Sequence, residues 1–155
     1  MAMASSFRPA KVGDVSAVRA LVRAAYTLYV PRMDREPAPM RADYEALIAA
    51  GVVSVLEAEG VIAGILVCYE RGRYLHVENV AVATTWQGQG IGRKLMAHAE
   101  RHALTRGLAG IELYTNEVMR ENLVFYEALG YEVTGRAVEE GYSRIYFRKV
   151  FHTPD

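Results

Sequence analysis

Three glycines fall within five residues in Gln87-Gly88-Gln89-Gly90-Ile91-Gly92. The segment follows the apolar run Val80-Ala81-Val82-Ala83 and precedes a helical pattern through Leu95, Met96, Ala99, Ala103 and Leu104. Glycines there remove the side chains that would keep a ligand from the main chain. The first-turn N–H groups of the following helix have no internal carbonyl partners, and they point at one spot with the helix dipole behind them. Such a place can hold a phosphate or pyrophosphate. Arg93 and Lys94 add positive charge beside it. A strand–helix turn that merely packs tightly would use the same glycines.

Two other phosphate motifs are separable by spacing. A P-loop requires Gly-Lys-Ser/Thr at its end, whereas here Gly92 is followed by Arg93-Lys94-Leu95. A dinucleotide fingerprint requires Gly-x-Gly-x-x-Gly, and after Gly88 and Gly90 the third position is Arg93. Glu112 lies 20 residues beyond Gly92, but near the start of its strand, where the ribose-binding acid should be near the end.

Bulk properties narrow the classes further. At 155 residues the chain is long enough for one domain with a real core. Lys+Arg and Asp+Glu are 18 each, so the basic excess of a dedicated nucleic-acid binder is absent. No apolar run reaches the ~18 residues of a membrane span. One cysteine, Cys68, excludes an intrachain disulfide and a Cys-cluster metal site. It sits in the apolar Ile65-Leu66-Val67-Cys68-Tyr69 and reads as a packing thiol, with no neighbour to activate it. The short N-terminus lacks the features of a signal peptide, so a cytoplasmic location is expected.

These residues must be held by a scaffold that the periodicity outlines. Asp14 reads as the N-cap of a helix over about 14–28, with one apolar face at Val15, Val18, Leu21, Val22, Ala25 and Leu28. Pro31, Pro37 and Pro39 mark a loop over 30–39, and a second helix fits about 40–50. The period then shortens: Val52 to Ala58, Val61 to Glu70 and Arg73 to Ala83 read as strands. After the glycine turn and its helix come a strand at Ile111 to Thr115 and a helix over about 119–129. Two strands, Tyr131 to Val138 and Tyr142 to Val150, close the chain. The order is α-α-β-β-β-α-β-α-β-β. Antiparallel hairpins before a strand–helix–strand unit predict a mixed α/β fold, a mixed sheet with helices on both faces.

Gln87-x-x-Gly90-x-Gly92 after Val80-Ala81-Val82 resembles the acyl-CoA loop of the GNAT superfamily of N-acetyltransferases. Phe7-Arg8-Pro9-Ala10 with Asp14 resembles the first strand and first helix start of that family. Asn122-Leu123-Val124-Phe125-Tyr126-Glu127-Ala128-Leu129-Gly130-Tyr131 resembles its second signature, an Asn and a Tyr four residues apart before Leu-Gly-aromatic. The resemblance covers about residues 6–150 of a single domain spanning 1–155, and it implies a central, twisted, mostly antiparallel sheet of six or seven strands.

The resemblance implies a cofactor site with acetyl-CoA as co-substrate and no metal. The strand before the loop would splay from its neighbour, and the main chain of Val80, Ala81 and Val82 would receive the pantetheine arm. One N–H near Val80 would polarise the thioester carbonyl. Gln87, Gly88, Gln89, Gly90, Ile91, Gly92 and Arg93 would hold the pyrophosphate. Asn122 would bind the pantetheine or its neighbouring backbone. Tyr126, on the same helix face, would protonate the departing thiolate as general acid.

The acceptor would be an amine, which must lose a proton before it attacks. Strand alternation puts His76, Glu78, Val80 and Val82 on one face. Glu78, directly or through water, and His76 are therefore the candidate bases. Pairing with an arginine, or plain strand packing, would account for the same two residues. Tyr29, Arg32, Glu78 and Tyr142 are candidate acceptor contacts, in a pocket that also draws on Tyr26, Met33, Arg35, Glu36 and Arg144. The expected activity is direct transfer of an acetyl group to a primary amine of a small molecule or peptide. The rival reading is an acyl-CoA sensor without turnover. No nucleic acid or membrane partner is expected, and the last strands offer an edge on which a second copy could pair as a homodimer.

Overall fold

In a computed structural model, which describes residues 5–151, seven strands form one sheet in the order β1-β2-β3-β4-β5-β7-β6. The strands are β1 Ser5–Pro9, β2 Val53–Ala58, β3 Val61–Arg71, β4 Tyr74–Val82, β5 Gly110–Asn116, β6 Glu132–Glu139 and β7 Tyr142–Val150. The helices are α1 Val15–Tyr26, α2 Val30–Met33, α3 Ala38–Arg41, α4 Tyr44–Ala49, α5 Ile91–Thr105 and α6 Arg120–Ala128. The sheet is mixed and mostly antiparallel, as expected. Packing divides the chain into two compact units: residues up to Cys68 with Asn79–His98, and Tyr69–Glu78 with the chain from Ala99 onward.

In the first unit, β1 pairs antiparallel with β2 (Phe7↔Leu56) and β2 with β3 (Val55↔Ile65). β-branched and aliphatic residues fill these strands, and Val53, Val55, Leu56, Ala63, Ile65, Leu66 and Val67 are buried. Helix α1 buries Val18, Leu21, Val22 and Ala25, the spacing of one helical face. Asp14 stands at the N-cap position of α1, as expected, but its side chain makes no cap hydrogen bond there. Its carboxylate accepts from the Arg8 guanidinium at 2.7 and 3.0 Å and from the Lys11 N–H at 2.7 Å. The Arg8 hydrogen bonds hold the Asp14 carboxyl at about 2, well below its ordinary range.

The segment 30–39, expected as a loop, is partly helical. Pro31 and Pro39 sit in the first turns of α2 and α3, where a helix has no use for the missing N–H. Helix α4 starts later than expected, at Tyr44, because Asp43 caps it by accepting from the Ala46 N–H at 3.0 Å. The strand β1 precedes the first helix; periodicity alone did not reveal so short an element.

In the second unit, β4 runs parallel to β5 over Tyr74–Val77 and Gly110–Leu113. β5 is antiparallel to β7 (Leu113↔Phe147), and β7 to β6 (Glu139↔Tyr142). Helix α6 sets Tyr126 with its ring 5.8 Å from Phe147 and 5.8 Å from Tyr131. The parallel register ends at Val77/Leu113, although β4 continues to Val82 and β5 to Asn116.

Candidate active site

The first unit carries the glycine turn. At the end of β4 the Ala83 N–H donates to the Ala63 carbonyl of β3 at 2.8 Å. Main-chain polar groups alternate between strand edges, so those of Val80 and Val82 aim away from β3. A 3-10 turn, Thr84–Trp86, follows, and then Gln87 in extended conformation. Gly88 and Gly90 have φ of 78° and 79°, in the left-handed region that other residues adopt only with strain. A Cβ built on either would meet nothing within 4 Å. Tight packing therefore does not explain these two glycines.

The Lys94 N–H donates to the Gly90 carbonyl at 3.1 Å, which closes the first turn of α5. Residues 87–90 and the side chains of Arg93 and Lys94 are exposed, while Ile91, Leu95 and Met96 root the helix in the core. An exposed turn of left-handed glycines thus delivers the main chain to a helix N-terminus with a cationic side chain beside it. These residues fit a diphosphate.

Gly64 of β3 makes that placement possible. A Cβ there would lie 2.9 Å from Ile91 Cγ2, 2.9 Å from Leu95 Cδ1 and 3.3 Å from the Ala81 carbonyl. An isolated glycine inside a strand pattern is the sequence sign of such close approach.

One more feature of this unit escaped the sequence reading. Asn79, 6% exposed, lies on β4 between the candidate base and the candidate oxyanion position. The Tyr26 hydroxyl donates to Asn79 Oδ1 at 2.7 Å and to the Val80 carbonyl at 3.1 Å. Asn79 Nδ2 donates to the Tyr44 hydroxyl at 3.0 Å, and that hydroxyl donates to the Pro39 carbonyl at 2.5 Å. The available signal was one Asn in an otherwise apolar run, Asn79-Val80-Ala81-Val82. Tyr29 and Arg32, the expected acceptor contacts of this unit, stack on each other with the guanidinium 5.1 Å from the ring centre.

The second unit carries the candidate bases, His76 and Glu78. His76, Tyr114, Tyr146 and Arg144 cluster through ring contacts: His76–Tyr114 at 5.8 Å, Tyr114–Tyr146 at 5.5 Å, and Arg144 4.3 Å from the Tyr114 ring centre. The Tyr69 ring is tilted against His76 as well, at 5.2 Å. Burial, reinforced by Arg71 and opposed by Glu112, pushes His76 down to about 4. Glu78 is half-buried, and that burial raises its carboxyl, with Arg71 opposing. Burial and then the charge of Glu78 raise the Tyr69 phenol.

Asn122 binds neighbours of its own unit: its amide donates to Thr115 Oγ1 at 3.2 Å and to Met119 Sδ at 3.6 Å, fixing α6 on β5. Tyr126, one turn on, is buried at 7% exposure with Phe125 at 5.2 Å. Tyr142 is buried in β7, and the Arg144 guanidinium lies 5.8 Å from its ring centre. Tyr29 and Arg32 belong to the first unit and Tyr142 to the second.

The half-buried Cys68 thiol is pushed up to about 11 by burial and stays protonated near neutrality. Among the described residues, no group of three or more His, Cys, Asp or Glu could hold a metal ion. No described helix is long and apolar enough to cross a membrane.

Known proteins resemble this chain in sequence and in fold. The acetyltransferase (GNAT) domain family profile matches residues 49–133, which run from β2 through the glycine turn and α6. Mycothiol acetyltransferase from Thermobifida fusca is 39% identical over 54 residues, 35% of this chain and 17% of that protein. "Probable N-acetyltransferase 14" from Xenopus tropicalis is 32% identical over 76 residues, 48% of this chain and 37% of that protein. The chain therefore spans well under half the length of the curated relatives it matches.

Among solved structures, PaiA N-acetyltransferase from Thermoplasma acidophilum in complex with coenzyme A superposes with a TM-score of 0.82 at 15% identity, covering 96% of this chain and 100% of that one. An acetyltransferase of the GNAT family from Listeria monocytogenes gives a TM-score of 0.72 at 15% identity, covering 95% of each chain.

Proposed function

The chain belongs to the acetyltransferase (GNAT) domain family, and on that premise we propose that it moves an acetyl group from acetyl-CoA directly to a primary amine of a small molecule or peptide. The observation that carries this reading is the exposed turn of left-handed Gly88 and Gly90, which leads from β4 into the start of α5.

Acetyl-CoA, when bound, supplies the acyl group as an activated thioester. The N–H groups of Gln87 to Gly92, with Arg93, hold the diphosphate. The main chain of Val80, Ala81 and Val82 receives the pantetheine arm, with Asn122 assisting from α6. The Val80 N–H lies on the β4 edge away from β3 and polarises the thioester carbonyl. Glu78, whose raised carboxyl is closer to neutrality than an exposed one, accepts the amine proton directly or through water. His76, neutral near pH 7, supports it. Tyr126 protonates the leaving sulfur. Tyr29, Arg32 and Tyr142 contact the acceptor.

The test has two parts. CoA at about 100 times its Kd should stabilise the protein by about 2.7 kcal/mol in a thermal melt. Thiol release from acetyl-CoA is then followed with spermidine, an aminoglycoside, free amino acids and a tripeptide with a free amino terminus. Turnover on one of them supports transfer. Binding without turnover on any of them marks a sensor instead, and no thermal shift overturns both.

A further inference from the structure

The buried hydrogen bonds around Asn79 have a direction that their chemistry fixes. The Tyr44 hydroxyl has one proton, and the Pro39 carbonyl takes it at 2.5 Å. Toward Asn79 that oxygen can only accept, so Asn79 must present its amide NH2 to Tyr44 and its Oδ1 to Tyr26. The Tyr26 proton then has two acceptors, Asn79 Oδ1 at 2.7 Å and the Val80 carbonyl at 3.1 Å. One hydroxyl thus spans the side chain of residue 79 and the main chain of residue 80. The N–H of Val80 lies between those two anchor points along the chain.

We propose that Tyr26 and Asn79 are positioning residues for acetyl transfer, which lock the Val80 peptide so that its N–H meets the thioester oxygen in the transition state. The inference rests on the acetyl-transfer reading above. An N–H that stabilises developing charge is effective only when its orientation is set beforehand. A strand normally sets it by cross-strand pairing. Here the β4–β5 register ends at Val77, before this point is reached. The side-chain clamp does the work that pairing does elsewhere. The clamp also reaches outward: Pro39 lies in α3, Tyr44 opens α4 and Tyr26 ends α1, so three helices are referred to one strand residue. Tyr26, expected to help build the acceptor pocket, has its hydroxyl engaged in this clamp.

The experiment compares wild type, Tyr26→Phe and Tyr44→Phe by kcat and KM for acetyl-CoA, using whichever amine of the panel turns over, with melting curves alongside. Tyr26→Phe keeps the ring and removes the hydroxyl that holds Val80. Its kcat should fall about tenfold or more, with KM for acetyl-CoA changed by less than about threefold, since the lost alignment acts in the transition state. Tyr44→Phe leaves the bond to Val80 and loosens only Asn79, so its kcat should fall by a smaller factor. It also keeps the test open if Tyr26→Phe folds poorly. A Tyr26→Phe enzyme with a lowered Tm and an unchanged kcat would show a merely structural clamp and overturn the inference alone. A wild-type protein that releases no thiol with any amine would overturn the acetyl-transfer reading itself.

Discussion

The rings of His76 and Tyr69 lie 5.2 Å apart, and His76 Nδ1 is buried with no hydrogen-bond partner. A proton placed on this imidazole would be poorly solvated, and Arg71 would oppose it. The folded state therefore binds a proton here less readily than the unfolded chain does. For a histidine shifted down to about 4, the associated stability is present above the ordinary value near 6.5. It is lost as pH falls from there through about 4. Between about pH 7 and about pH 4.5 this one group should cost about 2 kcal/mol of stability. Urea unfolding at the two pH values should show that loss in wild type and a much smaller one in His76→Gln. Equal losses in both proteins would refute the assignment.

Glu78 should govern the acidic side of the rate profile. Burial raises its carboxyl, and the protonated form cannot accept a proton from the amine. In wild type, kcat/KM should therefore decline as pH falls through that raised value. Glu78→Gln should lower kcat/KM by about 10²- to 10³-fold and flatten the acidic limb. A few-fold change with the limb intact would remove Glu78 from the base role.

Tyr126→Phe separates a proton donor from a packing ring. The phenylalanine keeps the contacts with Phe125, Tyr131 and Phe147. The loss of a buried hydroxyl should cost about 1 kcal/mol, or roughly 2–4 °C in Tm. If the hydroxyl serves the leaving sulfur, kcat should fall by about tenfold to 100-fold with little change in KM. An unchanged kcat would leave Tyr126 as a core aromatic.

Gly64→Ala should act on the glycine turn from beneath it. The new methyl would press on Ile91 Cγ2 and Leu95 Cδ1 at 2.9 Å, both buried at the start of α5. Overpacking of this kind costs about 1–3 kcal/mol. Because Ile91 is the first residue of that helix, KM for acetyl-CoA should rise more than kcat falls. Steady-state kinetics and a melting curve check both halves; an unchanged KM would show that the helix absorbs the methyl without moving the turn.

Much of this arrangement was legible in the residue order. The long alternating and apolar runs gave β2 through β7 within a residue or two, because burial on a sheet face dictates their period. The glycine turn was legible because glycine is the residue that adopts left-handed backbone with least strain. What stayed hidden depends on partners distant in sequence. Asp14 was read as a cap because its local context suits one, but Arg8 on β1 claims the carboxylate. The helical turns at Val30–Met33 and Ala38–Arg41 were masked by prolines that a first helical turn tolerates. Asn79 stood out locally only as an Asn heading an apolar run, and its role stayed hidden because its partners Tyr26 and Tyr44 lie 53 and 35 residues away.

The open space around Gly88 and Gly90 sets what could replace them. Neither position is short of room; each needs only a backbone of the opposite hand. An L-alanine at Gly90 would be strained, at about 1 kcal/mol or more. A D-alanine introduced by chemical ligation would escape that backbone penalty, its mirror-image stereocentre preferring the dihedral the turn already has. Backbone handedness, rather than room inside the fold, is then what calls for glycine at this corner.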